Sequence, residues 1–195
     1  MAYLKPWEVQ QLHDLIDGKL ENKLNTRDNA IAALLLFTGL RACDIAGLLL
    51  DAIDWNGDVI RTIQQKTGVP LELPLTAIIG NTLYDYITQD RPKSDDPHVF
   101  LRLRQPHYPL SAGGIKDISR KIYDAASIRM DVGDRRGTHL FSLPCSHRLA
   151  RRRRVATCNQ FDSWAPRRRS LSAVYIRRFS PFASVRTQHF AVPCC

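Results

Sequence analysis

The chain has 195 residues, with 28 Lys plus Arg against 19 Asp plus Glu and a formal net charge of +9 at pH 7. A charge of that sign ordinarily points to nucleic acid or a membrane surface, but here it is local. Residues 1–141 hold seventeen Lys plus Arg against eighteen Asp plus Glu, whereas residues 142–195 hold eleven Arg, no Lys, no Glu and the single acid Asp162. Four of the five cysteines (Cys145, Cys158, Cys194 and Cys195) lie in the same tail, at spacings that fit no zinc or disulfide framework, so only Cys43 belongs to the patterned part. Met1 to Lys19 lacks an apolar run behind a basic start, and no stretch of about 18 apolar residues could span a bilayer. A soluble protein of the reducing cytoplasm, with no membrane partner, is the default expectation.

In chain order, Pro6 suits a first helical turn, and Trp7, Val9, Leu12, Leu15 and Ile16 recur at helical spacing, which predicts an amphipathic helix to about Asp17, ended by Gly18. Thr26 can cap a second helix with Arg27 and Asp28 in its first turn, and the run Ile31 to Phe37 predicts burial on most of its circumference. Thr38 and Gly39 end that helix and turn Leu40 and Arg41 into a short helix, Ala42 to Leu49. Ile53 to Trp55 and Val59 to Gln65 read as a hairpin around Asn56-Gly57-Asp58, with a type I′ turn expected from Asn-Gly. A third strand, Leu71 to Leu75, follows the loop Lys66-Thr67-Gly68. Thr76 is expected to cap a helix through Ile87, residues 91–97 form a polar loop, Ser111 caps a helix through Ala126, and Thr138 opens one more, carrying His139.

The segment Ala33 to Leu48, "ALLLFTGLRACDIAGL", resembles the first signature of the tyrosine recombinases, the phage-integrase family. Further pieces fall in the family's order. Lys66 lies in "QQKTGVPLELPL", where the family has a lysine on a β-turn of a small three-stranded sheet, and "DRRGTHLF" resembles the approach to the family's H-x-x-R box, with His139 as its histidine. The resemblance covers roughly residues 3–141. It implies a mainly α fold with a small three-stranded antiparallel sheet, that of the family's catalytic domain, without the arm and core-binding domain that precede it. It also implies DNA as partner and no metal or small-molecule cofactor.

In that family a tyrosine attacks a DNA phosphate, forms a 3′-phosphotyrosine and releases a 5′-hydroxyl. Without a metal, charge on the phosphorane must be neutralised by side chains, and arginine suits this because its guanidinium stays protonated and its planar fork matches two phosphate oxygens. The resemblance makes Arg41 the first phosphate clamp, Lys66 the general acid on the leaving oxygen and His139 a proton-transfer histidine. Each has a plain structural alternative: Arg41 as a C-terminal cap of the preceding helix, Lys66 as a solvated turn lysine, His139 as a buried histidine bonded to backbone. Asp44 is expected to orient Arg41 or cap the short helix.

The pattern then breaks. Where the family reads His, two residues, Arg, this chain reads His139-Leu140-Phe141-Ser142, so the second phosphate arginine is missing. The expected Leu-Gly-His motif and the nucleophile's helix are replaced by an arginine-rich tail without apolar periodicity. Back-translated and read one base later, residues 142–149 can spell His-Ser-Leu-Ala-Ala-Thr-Ala. Phe161 to Pro166 can spell Ser-Ile-Leu-Gly-His, and the Val174–Tyr175 junction can spell a tyrosine nine codons after that histidine. These pieces predict that residues from about 142 onward are a frameshifted remainder of the same domain. Tyr175 stands at the nucleophile's position through codon overlap alone.

The sequence is thus read as a tyrosine recombinase catalytic domain over 1–141 and an aberrant tail over 142–195, of site-specific DNA recombinase lineage but inactive as written. The alternatives are a catalytically silent DNA-binding module using Arg41, Lys66 and the basic tail, or a regulatory subunit. Either a second copy or an intact recombinase protomer on DNA is then the expected protein partner.

Overall fold

The computed structural model describes residues 4–21 and 24–141, all within one of the chain's two units. Helix α1 spans Pro6–Ile16, α2 Thr26–Thr38 and α3 Ala42–Ala46; strands β1 (Ile53–Asp54), β2 (Val59–Ile63) and β3 (Pro70–Pro74) follow, then α4 (Ala77–Asp85) and α5 (Ala112–Ala125). Residues 139–141 are again helical. The expected mainly α architecture with a three-stranded antiparallel sheet is what forms, in the order β1-β2-β3. No helix of the described residues is long and apolar enough to cross a membrane.

Helix α2 is the centre of the core. Ala30, Ile31, Ala33, Leu34 and Leu35 are completely buried, because α1, α4 and α5 all pack against it. A helix enclosed on every side has no polar face, which is why the run Ile31 to Phe37 shows no amphipathic period. Burial of each such Leu or Ile stabilises the fold by about 1.5–3 kcal/mol. At the start of α2, the cap is Asn25, not Thr26: the Asn25 carboxamide oxygen accepts the Asp28 N–H at 2.7 Å, and Thr26 is already helical, its hydroxyl donating to Asp90. Beside it, Arg27 and Asp28 form a buried pair at 2.9 Å, and Arg27 also donates to the Leu101 carbonyl.

Three further boundaries differ from expectation. Helix α3 stops at Ala46 instead of Leu49, because Leu48 to Leu50 leave the helix to pair with residues 97–99. The Val99 N–H donates to the Leu48 carbonyl at 2.8 Å and the Leu50 N–H to the Pro97 carbonyl at 2.9 Å. The β1–β2 turn is not type I′. Asp58 carries the positive φ of 51°, while Asn56 and Gly57 do not, since the Asp54 carboxylate accepts both of their N–H groups and imposes its own turn. Thr76 stands at the N-cap of α4 without a side-chain bond, and the helix widens into a π-type turn over Tyr86–Asp90.

Strand β3 begins and ends in proline, opposite Ile63 and Val59 of β2. Proline offers no N–H to a ladder, so β3 is confined to the sheet's edge. In the middle of the pairing, Arg61 lies directly across from Glu72 and bonds it at 3.1 Å, while also reaching Asp54 at 2.8 Å. Helix α5 is capped as expected, the Ser111 hydroxyl accepting the Gly114 N–H at 3.2 Å. Its buried stripe of Ile115, Ile118, Ser119, Ile122 and Tyr123 packs against α2 and α3.

Candidate functional site

Arg41 is placed by the way α2 ends. Gly39 adopts φ 66°, ψ 19° and the Thr38 hydroxyl donates back to the Leu34 carbonyl while accepting the Leu40 N–H at 3.2 Å. Leu40 is buried and anchors the turn, so the next residue, Arg41, is projected outward as the N-cap residue of α3. Its side chain is exposed and makes no hydrogen bond or ion pair among the described residues, so the reading of Arg41 as a C-terminal cap of α2 finds no bond to support it.

Lys66 lies at the exposed end of the β2–β3 hairpin. Gln64 and Gly68 close the turn, with the Gly68 N–H on the Gln64 carbonyl at 2.8 Å and Gly68 at φ 67°. The Lys66 side chain is free of partners among the described residues. Its neighbour is not: the Gln65 N–H donates to Asp44 Oδ1 at 2.9 Å. Asp44, almost fully buried in α3, therefore does something other than orient Arg41. It ties the short helix begun at Arg41 to the hairpin that carries Lys66. A Cβ added at Gly47 would meet the Gln65 side-chain amide, which would have to move aside. Asp44 Oδ1 also receives the Cys43 thiol at 3.8 Å, whereas Oδ2 is buried without a hydrogen-bond partner.

His139 is exposed, not buried, so the plain reading of it as a core histidine fails. It sits in the helical turn 139–141 on the end of a support built from α5 and α1. The Tyr123 hydroxyl donates to the Gly137 carbonyl at 3.3 Å, and its ring packs on Phe141 at 5.3 Å. Burial pushes the Tyr123 hydroxyl well above the usual phenol range, which keeps it protonated as a donor. Arg136 donates to Asp124 of α5 and to the Arg129 carbonyl. Arg129 in turn forms a bidentate pair with Glu8 of α1, at 2.8 and 3.0 Å, with side chains only 10% and 3% exposed. Burial opposes the charged form of Glu8, but the Arg129 guanidinium and the Lys5 N–H outweigh it and hold the carboxyl below its usual range.

The three sequence candidates are thus carried by connected elements. The Arg41 turn and the Lys66 hairpin are joined through Asp44, α3 packs on α5, and α5 holds the segment that ends at His139. No hydrogen bond joins the three side chains to one another. His139 lines a cavity of about 610 Å³ together with Lys116, Arg120, Asp124, Arg136 and Gly137, and neither Arg41 nor Lys66 reaches it. Tyr175 and Ser142 lie outside the described residues. Among the described residues no group of His, Cys, Asp or Glu is arranged to hold a metal. Sequence reading missed Glu8, Tyr123, Arg129 and Gly137. A periodicity argument flags Tyr123 only as core, and nothing local links Glu8 to an arginine 121 positions away.

A protein-family model described as the phage integrase family matches residues 2–153. A Sinorhizobium fredii (strain NBRC 101917 / NGR234) protein named as an integrase/recombinase, y4gC, is 33% identical over 120 residues, 59% of this chain and 58% of its own length. Tyrosine recombinase XerC of Bacillus subtilis (strain 168) is 24% identical over 144 residues, 72% of this chain and 46% of its own. The chain thus spans about half the length of these relatives. Among solved structures, XerA recombinase superposes with a TM-score of 0.61 at 17% identity, covering 78% of this chain and 50% of that one. The lambda integrase catalytic core superposes with a TM-score of 0.53 at 18% identity, covering 78% and 85%. XerH site-specific recombinase, in a pre-cleavage complex with its difH substrate, gives 0.60 at 16% identity, covering 80% and 44%. At these identities the structural likeness establishes the fold.

Proposed function

The chain belongs to the phage integrase family, the site-specific tyrosine recombinases, and on that basis we propose that it is the catalytic domain of a DNA strand-transfer enzyme that has lost its chemistry. Arg41 is the clamp for a DNA phosphate, its fixed charge and planar donors facing the non-bridging oxygens. Lys66 delivers a proton to the departing 5′-oxygen from a hairpin end that reaches out from the sheet, and His139 handles proton transfer beside the phosphate. Ser142 stands where the second clamp belongs. The nucleophile's helix is replaced by out-of-frame sequence from about residue 142, with Tyr175 standing in its place. Because nucleophile and charge-stabilising groups act as a unit, losing the second arginine and the tyrosine's setting costs several orders of magnitude in rate.

The observation that supports this reading most is the hydrogen bond from Gln65 N to Asp44 Oδ1, which fastens the Arg41 helix and the Lys66 hairpin to each other. DNA is the partner, as it is for the DNA-bound lambda integrase and XerH structures, and a second copy or an intact recombinase protomer is the protein partner on it. The test is covalent trapping with suicide DNA duplexes made from the gene's flanks. The chain as written is expected to form no phosphotyrosyl adduct, and the frame-restored gene is expected to form one. An adduct from the chain as written that disappears in Tyr175→Phe overturns the loss of activity. Sequencing around codon 142 supplies the second check: an intact frame with no shifted integrase motifs refutes the frameshift.

Arg41 and Lys66 are exposed and have no side-chain partner among the described residues, which also favours a silent DNA-binding role. In that case binding falls steeply with salt and no adduct appears even after the frame is restored.

A further inference from the structure

Two glycines near His139 differ in what they are for, and the difference points to a role for one of them. Gly133 has φ 99° with nothing within 4 Å of where a Cβ would be, so glycine is there for its backbone. Gly137 is the reverse. Its φ is not in the left-handed region, so any residue could take up that backbone, yet a Cβ added to it would run into Cε1 and Nδ1 of the His139 imidazole. The ring occupies the space a side chain at 137 would need. The same peptide is pinned from behind, because the Gly137 carbonyl accepts both the buried Tyr123 hydroxyl at 3.3 Å and the Leu140 N–H at 3.1 Å.

We propose that Gly137 and Tyr123 are positioning residues for His139: the missing Cβ lets the imidazole fold over the 137 peptide, and the Tyr123 hydroxyl fixes that peptide on α5. This rests on the reading of His139 as a proton-transfer group. An exposed histidine, free to turn about its two side-chain torsions, would otherwise sample several rotamers, each placing its nitrogens elsewhere. Held against Gly137, the ring stays on the wall of the cavity it shares with Lys116 and Arg120, and the ordering entropy is already spent before DNA arrives.

Substitution at 137 should therefore move the ring rather than break the fold, because the atoms in conflict are the free end of a side chain. The experiment is NMR on the full chain with labelled histidine rings, the His139 signals assigned by their loss in His139→Gln. In the wild type, the His139 Hε1 proton is expected to show cross-relaxation with the Gly137 Hα protons. In Gly137→Ala that contact should vanish and the ring shifts should change, with the thermal midpoint within about 2 °C of wild type, as for substitutions that create neither a cavity nor a buried unpaired group. Tyr123→Phe keeps the ring on Phe141 and removes only the hydroxyl, and it should weaken the same contact. Ring signals that coincide with wild type in both variants overturn the proposal. Titration with duplex DNA separates it from the functional reading. A ring that moves in Gly137→Ala but never responds to DNA leaves the positioning intact and refutes the catalytic role of His139. A ring that responds to DNA but ignores both substitutions refutes the positioning alone.

Discussion

Removing the Glu8 charge tests whether the segment leading to His139 is held from α1. In Glu8→Gln, the bidentate pair with Arg129 loses its charge and one of its two acceptors, in a place where the two side chains are 3% and 10% exposed. Two unit charges about 4 Å apart at an effective dielectric of about 20 attract by about 4 kcal/mol. Breaking a buried pair from one side typically costs about 3–5 kcal/mol, because the remaining charge is stranded. Arg129 keeps its bond to the Arg135 carbonyl, which places the expected loss near the lower end, about 3 kcal/mol. For a chain of this size that is a fall of about 6–12 °C in Tm. Its pH dependence has a definite sign. The Glu8 carboxyl is held below its ordinary value in the folded state, so its contribution is present above the unfolded value of about 4.5 and fades as pH drops through the folded one. Urea unfolding of wild type and variant at pH 7 and at progressively lower pH measures it, with the gap between the two expected to narrow as the pH falls below the unfolded value. A difference below about 1 kcal/mol at neutral pH, or a double-mutant cycle with Arg129→Met that shows no coupling, would refute the reasoning.

Asp44→Ala should remove the acceptor for the Gln65 N–H; amide exchange at Gln65 is expected to accelerate and stability to fall by about 1–3 kcal/mol, whereas unchanged exchange would mean that the hairpin is held elsewhere. Gly47→Ala should speed the same amide by pushing the Gln65 side chain aside. Leu34→Ala, at the completely buried centre of α2, should cost about 2–5 kcal/mol in denaturant titration. Arg41→Ala, exposed and unpaired among the described residues, should leave stability within about 0.5 kcal/mol while weakening DNA binding, and equal DNA affinity would remove it from the clamp role.

Much of this protein is written locally. Ala33 to Leu48 carries both the buried helix and the turn that projects Arg41, since Gly39 can take a left-handed φ and the apolar run before it has no polar side to expose. Ser111 caps α5 where it should, and the three strands lie within two residues of where alternation and turn residues put them, β2 ending at Ile63 instead of Gln65 and β3 spanning Pro70–Pro74 instead of Leu71 to Leu75. Boundaries that depend on distant partners were not legible: α3 is cut short because 97–99 pairs with 48–50, and the β1–β2 turn follows the Asp54 carboxylate instead of the Asn-Gly preference. The frame around the candidate site is further still from the sequence. Local periodicity reports which face of an element is apolar, but not which face of another element it will meet. The meeting of Glu8 with Arg129 and of Asp44 with Gln65 exists only once the core has closed on α2, whereas the His139 ring meets Gly137 two residues away in the chain. The sequence by itself determined the family, the helical core and the chemistry-bearing residue types. The tertiary structure decided which of those residues are held, and by what, because buried pairs and steric gaps are properties of packed surfaces rather than of neighbours in the chain.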